Sequence, residues 1–320
     1  MTVREQSSSE PAAAAGGDIR AKLLLVALCL LWGTTWPVMK IALEDIPPLS
    51  MRTMTAAFGA LTLLVICLVT RRRLRIATAK AWGHVVVTSL LNIAAFSLFS
   101  AYAQIAAATS RVTILVYTMP IWTVLLAWLL LGERPTARQV LSLVLCALGL
   151  AVLIYPLAAR GVPFGVLLAV AAGMSWGAGT VYIKWARVDL DPLALAFWQL
   201  VVAFLMIAAC LIVADGRLNL DHAHAGSLLA TAYAGVVGSG IAYALWFEIM
   251  RRLPAGTASL GTLGIPVVGV ISTILIVGER PTATDITGFA LIFAASACVL
   301  LAPAARADEV KLQSNRREAN

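Results

Sequence analysis

GERPTA, residues Gly132 to Ala137, is repeated letter for letter at Gly278 to Ala283, 146 positions later. Each copy closes an apolar run with a proline near its middle, Pro120 in the first and Pro266 in the second, again 146 apart. Upstream, Trp32, Gly33 and Lys40 recur as Trp176, Gly177 and Lys184 at an offset of 144. Self-similarity at a nearly fixed spacing means one structural unit, about 140 residues long, used twice.

The residues around these landmarks belong to a lipid-facing chain. Apolar residues make up 61% of the sequence and charged residues 12%, whereas a water-soluble domain carries roughly 45–50% and about 25%. The apolar residues come in runs of roughly 20, enough for a helix to cross the hydrocarbon core, and not in the alternating segments of about ten that build a barrel. The net charge of +8 raises the question of nucleic acid. The basic residues, however, occupy the short breaks between apolar runs, so they read as topology determinants and no nucleic-acid partner is expected. Cys29, Cys67, Cys146, Cys210 and Cys298 all fall inside apolar runs without metal-ligand spacing, and read as small core hydrophobes.

Ten spans fit the pattern, at roughly 22–43, 48–70, 82–104, 109–131, 136–157, 162–184, 192–214, 226–250, 255–277 and 283–303. Of the 24 Lys and Arg residues, 18 lie in the two tails and in alternate breaks, which puts both termini in the cytoplasm. An odd number of spans per unit forces the second unit to enter from the opposite face. The charges follow suit. Arg138 after the first GERPTA is matched by Thr284 and then Asp285 after the second, and RRRLRIATAK at 71–80 is matched by DGRLNLDHAHA at 215–225. The expected fold is all-α: an integral membrane protein of ten transmembrane helices, arranged as two inverted five-helix repeats around a central cavity. Residues 1–21 would form a disordered cytoplasmic tail without the features of a signal peptide. Residues 22–157 would form the first repeat, 158–303 the second, and 304–320 a cytoplasmic tail.

The five-span duplication, the WG in spans 1 and 6 with a Lys eight residues after the Trp, the proline of spans 4 and 9, and the GE that follows each resemble the drug/metabolite transporter superfamily in its EamA-type branch. Within that branch the chain is most similar to the aromatic amino-acid exporters. The resemblance covers 22–303. It implies ten helices around a central cavity, solute efflux and alternating access in a cell (inner) membrane. One position departs: Pro37 of span 1 is matched by Val181, so that flexibility in span 6 would fall to Gly173, Gly177 and Gly179.

Trp32, Trp36 and Lys40 share one helical face at i, i+4 and i+8, and span 6 repeats the stripe as Trp176, Thr180 and Lys184. Trp32 lies about 15 Å along the helix from Lys22, close to the midplane, whereas membrane tryptophans normally sit in the interfacial belts. That position suits an aromatic wall of a midplane cavity, with plain helix packing as the alternative. Lys40 and Lys184 read as snorkelling anchors at opposite edges, or as an entrance for a solute carboxylate. On span 3, Asn92, Phe96 and Phe99 are matched 147 residues later by Ser239, Tyr243 and Trp246. A polar group backed by two rings suits an amphipathic solute, its head near Asn92 or Ser239; Asn92 would serve equally to bond a neighbouring helix. Pro120 and Pro266 read as kinks that free carbonyls mid-membrane, and Tyr117, one turn before Pro120, would face the same cavity. In GERPTA itself, Glu133 and Glu279 sit in turns, with Thr136 and Thr282 capping the next helix. The glycines at 235, 238 and 240, and at 261, 264 and 269, read as close-packing positions.

No GxxxxGK[ST], HExxH or GxSxG occurs, and no carboxylate and histidine cluster sits at span depth. No catalytic residue, metal or cofactor is therefore expected. Nor does an acidic residue lie near any span centre, Glu248 being the nearest, which leaves a proton relay hard to build. The expectation is a secondary carrier, close to a facilitator, that exports small organic solutes, foremost aromatic or bulky apolar amino acids and related metabolites. Trp32, Trp36, Asn92, Phe96, Tyr117, Trp176, Ser239, Tyr243 and Trp246 would bind them. The rival readings are a nucleotide-sugar or phosphate-ester exchanger, a lipid flippase and a lipid-modifying enzyme. Expected partners are the small-molecule solute and the lipid bilayer; small-residue faces on spans 5 and 10 permit a homodimer without demanding one.

Overall fold

A computed structural model describes residues 19–132, 134–158, 163–187, 190–252 and 264–300. Both expected tails, apart from residues 19–21, lie outside the described residues, as do Glu133 and Gly261. Helix α1 spans Ile19–Asp45 and α2 Pro48–Val69. Helix α3 runs through Ala79–Thr88, Ser89–Ala95 and Phe96–Ala106, and α4 through Thr109–Val116 and Met119–Leu131. Then come α5 (Ala137–Ala158), α6 (Phe164–Ala186) and α7 (Pro192–Ala214). Helix α8 runs through Ala225–Tyr233, Ala234–Ile241 and Ala242–Arg252; α9 is Gly264–Val277 and α10 Ala283–Leu300. Eight of these, α1 to α8, are long and apolar enough to cross a bilayer, α9 and α10 are shorter apolar helices, and no strand occurs among the described residues. Large apolar side chains point outward, Val213 88% and Leu275 77% exposed, which water would not tolerate over so much surface. The molecule is a multi-pass membrane protein.

GERPTA is stop-and-start punctuation. Gly132 and Gly278 take φ of +69° and +75°, the left-handed turn that ends a helix and that glycine adopts without strain. Three residues on from each copy's Thr, a side chain completes the next helix's cap. The Thr136 N–H donates to Gln139 Oε1 at 2.7 Å, and the Thr282 N–H to Asp285 Oδ2 at 3.0 Å. In return the Gln139 and Asp285 N–H groups donate to the threonine hydroxyls at 3.4 and 3.2 Å. These are capping boxes, so both threonines do what the sequence led one to expect.

Three helices depart from regularity. Helix α4 breaks at Tyr117 and Thr118 and restarts with Pro120 in its first turn, because a proline mid-helix has no N–H for the carbonyl four residues back. The Thr118 hydroxyl ties the two segments together, donating to the Leu115 carbonyl at 2.7 Å and accepting the Trp122 indole N–H at 2.9 Å. The expected kink is thus a break and restart. Pro266 is the third residue of α9, whose preceding turn lies outside the described residues. Helices α3 and α8 each pass through a π-helical stretch, Ser89–Ala95 and Ala234–Ile241, at matching places in the two halves.

Helix α1 packs on α8 and α9, and α6 packs on α3 and α4; α2 packs on α7 and α8, and α7 on α2 and α3; α5 lies along α10. Exchanging each helix with the one five places on leaves these pairings unchanged. The glycines of α6 mark close approaches in a helix that is unbroken from Phe164 to Ala186. A Cβ on Gly177 would stand 2.9 Å from Trp122 Cβ, and one on Gly179 would meet the Asn92 amide. The small-residue faces of α5 and α10 meet each other. A Cβ on Gly149 would lie 2.7 Å from Ile292 and one on Gly288 2.4 Å from Leu153, and the Ser142 hydroxyl donates to the Ala295 carbonyl.

Candidate functional site

The centre of the molecule is built from rings. The Trp32 ring on α1 meets Tyr243 of α8 edge-on, centroids 5.9 Å apart at 82°, and lies 6.1 Å from Trp246. On the other side Phe96 of α3 and Trp176 of α6 pack 5.0 Å apart at 61°. Trp176 is the counterpart of Trp32, and Phe96 that of Tyr243, so one aromatic contact is made twice. Trp36 and Tyr117 add a third pair, 6.2 Å apart.

The π-helical stretches explain how polar groups survive there. Their wider turn disturbs the regular ladder, and each stretch has a carbonyl that accepts a donor from the facing helix. The Trp32 indole N–H donates to Gly238 O at 3.0 Å, and the Ser175 hydroxyl to Leu91 O at 2.7 Å. Leu91 and Gly238 are 147 apart, the same offset as Asn92 and Ser239.

Between the halves lies a cavity of about 620 Å³, the size of a small-molecule site. Of the residues singled out from sequence, Trp32, Trp36, Phe96, Tyr117, Trp176, Ser239, Tyr243, Trp246 and Pro266 line it. Asn92 does not. It is buried between α3 and α6, where its Nδ2 donates to the Trp176 carbonyl at 3.3 Å. Of the Pro120 side chain nothing is described. Lys40 reaches the Gln104 carbonyl at 3.1 Å, at the end of α3. A separate recess of about 490 Å³ at the α2–α3 loop, lined by Arg71, Arg72, Arg73 and Arg75, is open and lacks rings.

Sequence reasoning passed over most of the polar part of the lining: Thr35, Arg52, Thr55, Ser97, Ser100 and Thr123. Arg52 is the telling omission, since it reads in the sequence as a span-end charge. It is only 6% exposed, its Nη2 donates to Ser100 Oγ at 2.8 Å, and its Nε is buried without a hydrogen-bond partner. Among the described residues the lining contains no Asp or Glu, and Arg52 is its one charged side chain. The available signal was its place one turn inside an apolar run, where an arginine is costly unless it faces protein or water.

The EamA-like transporter family matches the chain twice, over residues 19–155 and 163–301. This chain belongs to the EamA-like transporter family. Among relatives of this EamA-like transporter, an uncharacterized protein of Pseudomonas aeruginosa is 31% identical, with 89% of this chain and 96% of that protein covered. The "Uncharacterized transporter YoaV" of Bacillus subtilis is 23% identical over 86% of this chain and 94% of its own. The "Probable amino-acid metabolite efflux pump" of Escherichia coli is 23% identical over 84% and 91%. A solved crystal structure superposes with a TM-score of 0.62 at 23% identity, covering 87% of this chain and 95% of that one, and so shares the fold.

Proposed function

We propose that this EamA-like transporter is a secondary carrier that exports small organic solutes, foremost aromatic or bulky apolar amino acids and related metabolites. The observation that carries the reading is the ring-lined cavity at the seam, where two equivalent aromatic pairs each join one ring from either half. A solute held there touches both halves at once, so their relative rocking exchanges its access from one face to the other. The efflux-pump name of the Escherichia coli relative supports the solute class.

In this reading α9 and α10 also cross the bilayer, giving ten spans in two inverted repeats, with both termini in the cytoplasm of an inner or plasma membrane. Three contacts support the threading. Arg72 pairs with Asp191 at 3.0 Å and His84 bonds Tyr182 at 2.9 Å, at the end assigned to the cytoplasm. Glu279 reaches the start of α4 at the end assigned to the outside. With no carboxylate in the described lining, proton coupling through a titrating acid lacks its group, and the solute gradient drives the cycle.

The experiment is counterflow by purified protein in liposomes with phenylalanine, tryptophan, leucine and glycine, with and without an imposed proton gradient. Phenylalanine and tryptophan should exchange fastest and should not accumulate when only the proton gradient is applied. Exchange of none of these solutes removes the reading, and accumulation driven by protons removes the facilitator part of it.

A further inference from the structure

The guanidinium of Arg52 is the polar pole of a cavity that is otherwise rings, hydroxyls and aliphatic side chains. A buried charge is held at a large desolvation cost unless it is paired and its hydrogens are used. Arg52 donates to one serine hydroxyl, leaves Nε unpartnered, and makes no ion pair among the described residues. Ser100 does not supply the missing charge, because its own hydroxyl donates to the Ser97 carbonyl at 3.0 Å. What a planar fork with free donors fits best is an oxyanion, above all a carboxylate taken by two parallel hydrogen bonds.

The position of the arginine sharpens the point. Pro48 and Pro192 open α2 and α7, 144 residues apart, so the counterpart of Arg52 in the second half is Ala196. The aromatic pairs obey the exchange of halves and the charge does not. A solute with one anionic end therefore has one preferred direction in a cavity whose rings alone would accept two.

We propose that Arg52 is the anion anchor of this cavity and that the solute it selects is an aryl monocarboxylate, whose α-amino group is dispensable. The carboxylate balances the single charge of the lining, and the ring lies among Trp32, Phe96, Trp176 and Tyr243. An α-ammonium finds no carboxylate in the described lining and gains only hydroxyls and ring faces. A phosphate ester brings a second negative charge that one arginine leaves unbalanced. The assignment rests on the transport reading for its physiological sense and is tested by binding, which does not need transport.

The test is calorimetric titration of the full-length protein in detergent with 3-phenylpropanoate, phenylalanine, 3-phenylpropanamide and phenethylamine. The wild type should bind 3-phenylpropanoate at least as tightly as phenylalanine. It should bind the neutral amide about tenfold or more weakly, since hydrogen bonds to charged groups are the strong ones, and the amine weaker still. In Arg52→Gln the acid should lose that advantage over the amide. Because the advantage is a ratio measured on one sample, a reduced folded fraction does not mimic its loss. Arg52→Lys, which keeps the charge but not the fork, should fall between. Equal binding of acid and amide by the wild type, or an unchanged ratio in Arg52→Gln, overturns the assignment. So does a wild type that binds none of the four. Arg52-dependent acid binding without any counterflow in liposomes keeps the assignment and removes the transport reading; undiminished phenylalanine counterflow in Arg52→Gln with acid and amide bound alike does the reverse.

Discussion

Glu279 accepts a hydrogen bond from the Ser110 backbone N–H at 2.9 Å and a second from the Ser110 hydroxyl at 2.6 Å. Ser110 lies in the first turn of α4, and the first GERPTA begins at Gly132, the residue after α4 ends. Two copies of one hexapeptide are thereby held at opposite ends of the same stretch, Thr109–Leu131, about 34 Å apart at 1.5 Å per residue. Arg111 extends the joint, its Nε donating to Asp285 Oδ1 at 2.9 Å. The inverted repeat proposed above calls for this placement.

The first prediction concerns sidedness. In a background with the native cysteines replaced, Arg138→Cys and Thr284→Cys should differ in reactivity toward a membrane-impermeant thiol reagent added to intact cells. Thr284→Cys should label and Arg138→Cys should label only after the membrane is opened. Equal labelling of the two in intact cells rules out the antiparallel threading.

The second concerns the joint itself. Glu279 accepts the Thr109 and Ser110 N–H groups at 2.6 and 2.9 Å, two donors that the first turn of a helix cannot satisfy for itself. Glu279→Ala should lower stability by about 1–2 kcal/mol, the scale of a lost helix cap. Glu279→Gln, which keeps an acceptor, should lose less. Chemical denaturation in mild detergent reads both. A neutral Glu279→Ala would show that water takes over the two N–H groups.

What the sequence disclosed and what it withheld divide along physical lines. The duplication, the ring positions and the threonine caps were legible because each depends on spacing along one helix or one turn. Glu279 was legible only as part of a turn. Its partners Thr109 and Ser110 lie 170 and 169 residues away in the chain, and no local pattern announces such a pairing. The π-helical stretches at Ser89–Ala95 and Ala234–Ile241 were hidden too, since an extra residue in one turn leaves a largely apolar run looking the same. Asn92 and Ser239 were recognised as counterparts, yet Asn92 turns to α6 and Ser239 to the cavity. A difference of one rotation along a helix separates a packing role from a lining role, and periodicity alone does not resolve it.

The third prediction tests the seam between α5 and α10. A Cβ on Gly288 would stand 2.4 Å from Leu153 Cγ, a separation that forces the leucine aside. Leu153 is only 2% exposed, so it has little room to move. Gly288→Ala should cost about 1–3 kcal/mol by overpacking. In a Leu153→Ala background the same change should cost less, with a coupling of at least about 1 kcal/mol in the double-mutant cycle. Additive effects, read from unfolding midpoints, would mean that the two helices are not in contact at this point.

The fourth prediction separates the two roles of Trp32. Its indole N–H bonds the Gly238 carbonyl at 3.0 Å, and its ring packs on Tyr243. Trp32→Phe keeps a ring but removes that hydrogen bond, at a cost of about 0.5–1.5 kcal/mol. Stability should therefore drop while solute exchange per folded molecule changes little. Tyr243→Ala removes the ring that stands edge-on to Trp32, an interaction of about 0.5–1.5 kcal/mol beyond its buried area. It should weaken phenylalanine exchange several-fold at near-normal membrane yield, because the lost surface faces the cavity. The two variants thus move different readouts, one the unfolding midpoint and the other the half-saturating solute concentration. If Tyr243→Ala left exchange untouched, its ring would be packing for α1 and α8 alone, and the aromatic wall would have to be rebuilt around Phe96 and Trp176.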